Sequence, residues 1–212
     1  MDETLSGNQM RPWTGSLHLG SDLESGRFEV PSQQTIELAD QQRPLFVSVG
    51  TIEPRKDHAT ILAAFEILWA DNVDASLVLI GKQGWRTDDL TARLRSHVEY
   101  GKRLHWFEHA TDGDMRYLLG RATALVQASM AEGFGLPLVE AGSLGTPLIV
   151  SDIAVFREIA GNEAAYFPVG DVHALVTNLR QVIANHGLPR SAKIVCLSWA
   201  QASAKLAEWL MV

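Results

Sequence analysis

Cysteine is nearly absent: Cys196 is the only one among 212 residues. That excludes a disulfide framework and a cysteine-built zinc site, and it makes a reducing, cytoplasmic setting the expectation. Basic residues are also in deficit, with 18 Lys and Arg against 25 Asp and Glu and a formal net charge of −7. Nucleic-acid binding needs a clustered cationic face to neutralise phosphates, so no nucleic-acid partner is expected. No stretch approaches the roughly 18 apolar residues of a membrane-spanning helix. The first residues, MDETLSGNQM, lack the apolar centre of a signal peptide. Aromatic residues are only 8%, yet hydrophobic residues together reach 46%, enough for a sizeable core. The composition fits one globular domain with appendages.

Residues 1–42 are polar, carry Gly15, Gly20 and Gly26 with two prolines, and show no sustained apolar period. They are expected to be a loop-like linker. From Pro44 the pattern changes. Short apolar runs at Leu45–Gly50, Ala75–Gly81, Arg103–Glu108, Ala122–Ser129, Thr146–Asp152 and Ala164–Val169 read as strands. Between them lie helical patterns at Ala59–Ala70, in TDDLTARLRSHVEYG, in DGDMRYLLGRA, at Leu136–Gly145 and in HALVTNLRQVIANHG. Continuous apolar strands alternating with helices predict a doubly wound, Rossmann-like α/β domain over residues 43–190, with a parallel sheet covered on both faces. The tail SWAQASAKLAEWLMV, within residues 191–212, reads as an amphipathic helix. In such a fold ligands bind beyond the carboxyl ends of the strands.

Two segments at those ends carry chemistry. Gly50-Thr51-Ile52-Glu53-Pro54-Arg55-Lys56-Asp57 places adjacent cations after the first strand. Arg55 offers a planar fork and Lys56 a point charge, together suited to a diphosphate. A solvated basic turn with Asp57 as helix cap is the plainer alternative. The second segment, Glu132-Gly133-Phe134-Gly135-Leu136-Pro137-Leu138-Val139-Glu140, follows the fourth apolar run and opens a helix. Its glycines permit close backbone approach, Pro137 suits a first turn, and the amides of Phe134, Gly135 and Leu136 would present a positive helix end to an anion. Glu132 would stand in the crevice to grip sugar hydroxyls, and Glu140 would take a pair of ribose hydroxyls. Simple solvation of Glu132 and a helix-dipole role for Glu140 are the alternatives.

In motif order, GTIEPRKDHATILAAF, LVLIGKQGW and EGFGLPLVEAGSLGTPLIVSD resemble the C-terminal, donor-binding half of retaining GT-B-fold glycosyltransferases of family 4 (group 1), with a mannosyltransferase-like flavour. The resemblance implies a nucleoside diphosphate sugar donor, GDP-mannose being the best guess, and polysaccharide biosynthesis. It assigns Arg55 and Lys56 to the donor diphosphate, Glu132 to the donor sugar and Glu140 to the ribose. Phe134, Gly135 and Leu136 would supply backbone contacts to sugar and phosphate, Gly50 and Gly81 would line the donor cleft, and His109 to Asp112 would lie near the base. The catalytic set it implies is Glu132, Arg55 and Lys56, with no metal, and an attack assisted by the departing phosphate. It also implies a saccharide or lipid-linked acceptor held by a second, N-terminal domain absent from these residues, with the full enzyme at the inner face of the membrane. HLGSD (His18–Asp22) resembles the segment joining the two halves, which denies His18 a catalytic role. The C-terminal helix is expected to pack against that other domain. Ala128 stands where many members have proline.

Other residues read as structural. His105 lies in an apolar strand, and His58, His97, His173 and His186 have helix-surface spacing without metal-ligand partners. Trp69, Trp106 and Trp199 suit core or interface, Cys196 suits a packed thiol, and Trp85 alone falls near the cleft. A nicotinamide dehydrogenase would need G-x-G-x-x-G after the first strand, which Gly50–Pro54 lacks. A nucleotide-sugar-binding module that catalyses nothing alone is the standing alternative.

Overall fold

The computed structural model describes residues 17–23, 29–184, 194 and 196–210. Six parallel strands form one sheet in the order β3-β2-β1-β4-β5-β6: β1 (Leu45–Val49), β2 (Ser76–Ile80), β3 (Leu104–Phe107), β4 (Ala124–Gln127), β5 (Leu148–Ser151) and β6 (Ala165–Phe167). Every residue of β1, β2, β4 and β5 is buried. Strands covered on both faces favour apolar residues throughout, which is why they appear as runs dominated by Val, Ile and Leu, with buried Ser48, Ser76, Gln127 and Ser151 among them. Val47 is central, registered with Val78 of β2 and Leu125 of β4.

Alternation along each strand feeds two cores. Phe46, Leu77 and Leu79 face one side, where they meet α2 (His58–Ala70), α3 (Asp88–Ser96) and α7 (Val172–Ile183). Leu45, Val47 and Val78 face the other, against α4 (Asp112–Arg121), α5 (Leu136–Ser143) and α6 (Ala154–Ala160). The chain builds outward from β1 to β3, then returns beside β1 with β4 and builds the other way. The switch point therefore lies between β1 and β4, and their following loops flank one crevice.

The doubly wound expectation holds. Two differences are local. α6, seven residues long, went unread because it has too few turns to display a period. Residues 1–42, read as loop-like, contain α1 (Gln33–Ala39), packed on α4 through buried Thr35 and Leu38. Its anchor is distant in sequence. Asp114 of α4 accepts from the backbone N–H of Ser32 at 2.7 Å and closes a capping box with Thr111. His58 also departs from the reading: it is buried at 1% exposure, not on a helix surface. Burial, then the nearby Lys56 charge, depress its pKa to about 3. His186 lies outside the described residues.

Burial by itself would raise the Asp114 pKa, but hydrogen bonds from Ser32, Thr35 and Thr111 bring it down to about 2. A carboxylate depressed in the folded state contributes stability above its unfolded pKa and loses it as pH falls through the folded one. Asp114→Ala should cost about 1–3 kcal/mol at neutral pH. In denaturant titrations the gap between variant and parent should close as pH falls toward 2. A gap of constant size down to that pH would contradict the anchor.

Candidate functional site

Beyond β1 the chain makes a 3-10 turn at Pro54–Lys56, then Asp57 takes a left-handed conformation (φ 49°) and caps α2. The Asp57 carboxylate accepts from the backbone N–H and hydroxyl of Thr60 at 3.2 and 2.6 Å. That tight turn throws Arg55 and Lys56 toward the loop after β4. Asp57 is the cap, as the plainer reading has it, but the turn is not simply solvated: Lys56 is buried and both cations point across the crevice.

There they meet Glu132. Lys56 Nζ donates to Glu132 Oε1 at 2.5 Å, and Arg55 Nη1 donates to Glu132 Oε2 at 2.7 Å. Ser129 Oγ, at the end of β4, donates to the same Oε1 at 2.7 Å. Arg55 also pairs with Glu53 at 2.6 Å and donates to the Ala131 carbonyl at 3.3 Å. The side chains of Lys56 and Glu132 are only 9% and 7% exposed, so each requires the other's charge. Burial would raise the Glu132 pKa, but the hydrogen bonds from Lys56 and Ser129 and the Lys56 charge outweigh it and hold the carboxyl below its ordinary range. Glu132 is thus ionised at neutral pH.

The floor is glycine for steric reasons. Gly81 sits at φ 143°, and a Cβ there would stand 2.2 Å from the Gly50 carbonyl oxygen. Gly50 in turn packs against the Lys56 side chain. On the far wall Gly135 is the N-cap of α5 at φ 91°, with no side-chain cap. The first turn of α5 therefore leaves amides for solvent or a ligand, and the helix dipole favours an anion there. Phe134 is set by an edge-on contact with the His18 ring, centroids 5.6 Å apart.

Glu140 occupies a different pocket. It lines a cavity of about 200 Å³ with Leu136, Asp112, Met115, Trp199 and the segment Gly20–Leu23. Burial, then the Asp112 charge, raise its pKa to about 6. The described inbound and outbound segments close this cavity. Ser21 N–H donates to the Leu197 carbonyl at 2.7 Å, and Asp22 accepts from Trp199 N–H at 3.1 Å, at the start of α8 (Trp199–Leu210).

The structure thus joins Arg55, Lys56, Glu132 and Gly50, sets Gly81 against Gly50, and puts Leu136 and Asp112 with Glu140, with Gly135 at the α5 start between them in sequence. His109 is exposed. Sequence reasoning missed Ser129 and Glu53. Ser129 lies three residues before Glu132 and Glu53 two before Arg55, so each was within hydrogen-bonding reach of a residue already singled out. Trp69 and Trp106 are buried, as expected, whereas Trp199 is 45% exposed on a pocket wall. The Cys196 thiol packs on the Val139 carbonyl at 3.2 Å.

Residues 30–194 match the family of glycosyl transferases, group 1. The serotype-specific mannosyltransferase WbdA of Escherichia coli is 41% identical over 197 residues, covering 89% of this chain and 24% of that protein. The O-antigen chain mannosyltransferase B of Escherichia coli is 34% identical over 156 residues, covering 72% of this chain and 39% of the relative. The chain therefore spans about a quarter to two fifths of the length of these relatives. Among solved structures, sucrose-phosphate synthase from Thermosynechococcus elongatus superposes with a TM-score of 0.70 at 20% identity, covering 91% of this chain and 51% of that one. That likeness is one of fold.

The buried pair makes a prediction about coupling. Lys56→Met leaves Glu132 still held by Arg55 and Ser129, whereas Glu132→Gln strands a buried ammonium, so the second should cost about 3 kcal/mol or more and the first less. The double variant should cost clearly less than the sum, by at least about 1 kcal/mol in a double-mutant cycle of urea melts. Strict additivity would mean that the two groups do not share one site.

Proposed function

The chain belongs to the group 1 glycosyl transferases, and from that premise we propose that it is the donor-binding half of a hexosyltransferase. It binds a nucleoside diphosphate sugar for retaining transfer of a hexose, mannose by likeness to its relatives, to a saccharide or lipid-linked acceptor. The observation that carries this reading is the Arg55–Lys56–Glu132 cluster at the switch point, opposite the uncapped start of α5. Two cations and a helix N-terminus form a site for a diphosphate, the group whose departure must be stabilised in the transition state.

Arg55 and Lys56 take the diphosphate oxygens, with the amides of Phe134, Gly135 and Leu136 on its other side. Glu132, released from part of its cation contacts as phosphate replaces it, accepts from sugar hydroxyls. The ribose goes to Glu140 and the base toward the loop ending at Asp112. No residue of the cluster is a nucleophile paired with a base. Attack by the acceptor hydroxyl, its proton passing to the leaving phosphate oxygen, suits the site better than a covalent intermediate. Cationic side chains supply the charge that a divalent ion supplies elsewhere, so binding is proposed to need no metal. The acceptor comes from a second domain against which α8 and the inbound segment pack, and the full enzyme works on the cytoplasmic side, peripheral to the membrane. A module that binds the donor and catalyses nothing by itself would share all these donor contacts.

Calorimetry with GDP and UDP, with and without chelator, tests the reading. Replacing Arg55 and Lys56 together by Ala should weaken binding by several kcal/mol of gross interaction, at about 1.5–3 per charge-assisted bond. Unchanged affinity, or strict magnesium dependence, would overturn it.

Glu140 adds a pH test. Only its ionised form accepts from two hydroxyls, and the free carboxyl has a pKa of about 6, beside Asp112 and Asp22. Nucleotide affinity should therefore rise from pH 5 to 7 with proton release below pH 6. Glu140→Gln should be weaker at pH 7 and lose that part of the slope. A variant that keeps the parental pH profile would remove Glu140 from the ribose site.

A further inference from the structure

Trp85 has no part in the donor contacts assigned above, although it borders them. It is 57% exposed, in a chain whose Trp69 and Trp106 are under 10% exposed. An indole left in water forfeits the burial of a large apolar area, and this one lies next to a polar cluster.

Its position is held from two directions. The β1–β2 pairing continues past the strand ends: Ile52 N–H donates to the Lys82 carbonyl and Gly84 N–H to the Ile52 carbonyl, both at 2.8 Å, around an Ile52–Gln83 bridge. The following turn is closed by Thr87 Oγ1 donating to the Gly84 carbonyl at 3.1 Å, with Arg86 left-handed at φ 53°. The indole N–H donates to Glu53 Oε2 at 3.2 Å, while Glu53 Oε1 holds Arg55 at 2.6 Å. Glu53 is therefore shared between Trp85 and the cation that faces Glu132. With its edge tied to a carboxylate that is only 14% exposed, the ring is fixed beside the cluster and is not a freely rotating surface side chain.

We infer that Trp85 is a carbohydrate-stacking platform, taking the C–H face of a pyranose ring of an acceptor saccharide beside the donor diphosphate. The ring's negative π face attracts the weakly positive C–H bonds of a sugar, and exposed Arg86, 5.8 Å from the ring centroid, offers donors to its hydroxyls. A nucleobase is the less suitable occupant, because the Glu140 cavity is walled by Asp112, Met115 and Trp199, and Trp85 forms none of it. This assignment rests on the donor-half reading for its location and on Trp85 for its chemistry, so the two are measured separately.

Saturation-transfer NMR on the purified chain with an α-linked mannotriose reads the platform, and calorimetry with GDP reads the donor site. Trp85→Ala should weaken mannotriose binding about three- to tenfold, Trp85→Phe should retain most of it, and GDP affinity should stay within twofold in both. Mannotriose binding that depends on Trp85 without any GDP binding would support the platform and overturn the donor reading alone. Absence of mannotriose binding in the parent chain, or equal binding by Trp85→Ala, would overturn the platform. Loss of GDP affinity in Trp85→Ala with saccharide binding intact would overturn it too, by assigning the ring to the base.

Discussion

The Glu132 carboxylate is the point on which the site depends. It accepts from Lys56 and Arg55, which follow β1, and from Ser129, two residues past the end of β4. β1 and β4 are adjacent in the sheet but far apart in sequence, and only the reversal of strand order brings their loops face to face. The ammonium of Lys56 is buried and tolerable only with a counter-charge at hydrogen-bonding distance. Ser129 is fixed in turn, since its carbonyl accepts from Ser151 Oγ of β5 at 2.5 Å. Three strands thus hold one carboxylate. Glu132 pairs with both cations, so the cluster keeps its positive charges oriented without leaving them unpaired.

The two glutamates eight residues apart show how environment separates identical chemistry. Glu132 meets cations and a hydroxyl and is held ionised despite its burial. Glu140, inside α5, meets burial and the carboxylate of Asp112, and its pKa rises to about 6. Between them lies the unbranched, uncapped helix start at Gly135. One carboxylate held ionised, one helix start without a side-chain cap and one carboxyl raised to about 6 are therefore produced by a single strand–loop–helix unit.

Much of this was legible in the sequence, because doubly buried strands cannot hide. Leu45–Val49 and Ser76–Ile80 appear as mostly apolar, β-branched-rich runs, and the residues just past them carry the candidate site. The glycine-rich helix start after β4 was legible for the same reason: a backbone that must approach a ligand excludes side chains. The pairing of Glu132 with Arg55 and Lys56 was not. Interaction across 76 and 77 residues is set by strand order, and periodicity carries no information about which strands are neighbours. α1 was hidden similarly, since its principal anchor, Asp114, is 82 residues from Ser32. His58 misled because a residue at the first position of a helix resembles a surface residue until the packing above it is known.

The cation cluster and the Glu140 cavity are held by forces of unequal strength, and that asymmetry has a direction. Arg55, Lys56 and Glu132 are anchored to central strands, and the loops after β1 and β2 remain zipped together beyond the sheet by the Ile52–Gln83 bridge. To displace them is to break the core. The Glu140 cavity depends instead on Gly20–Leu23 and Trp199, which are joined by the Ser21–Leu197 and Asp22–Trp199 hydrogen bonds. Each such bond contributes about 1 kcal/mol net. α8, which continues from this clasp, buries only Ala202 among its described residues and leaves Leu206 and Leu210 exposed. Any body docking on α8 therefore acts first on the clasp, and through it on the wall facing Glu140, while the cation cluster stays in place. The Glu140 cavity is the part most easily reshaped, and the cation cluster is the part the sheet keeps constant.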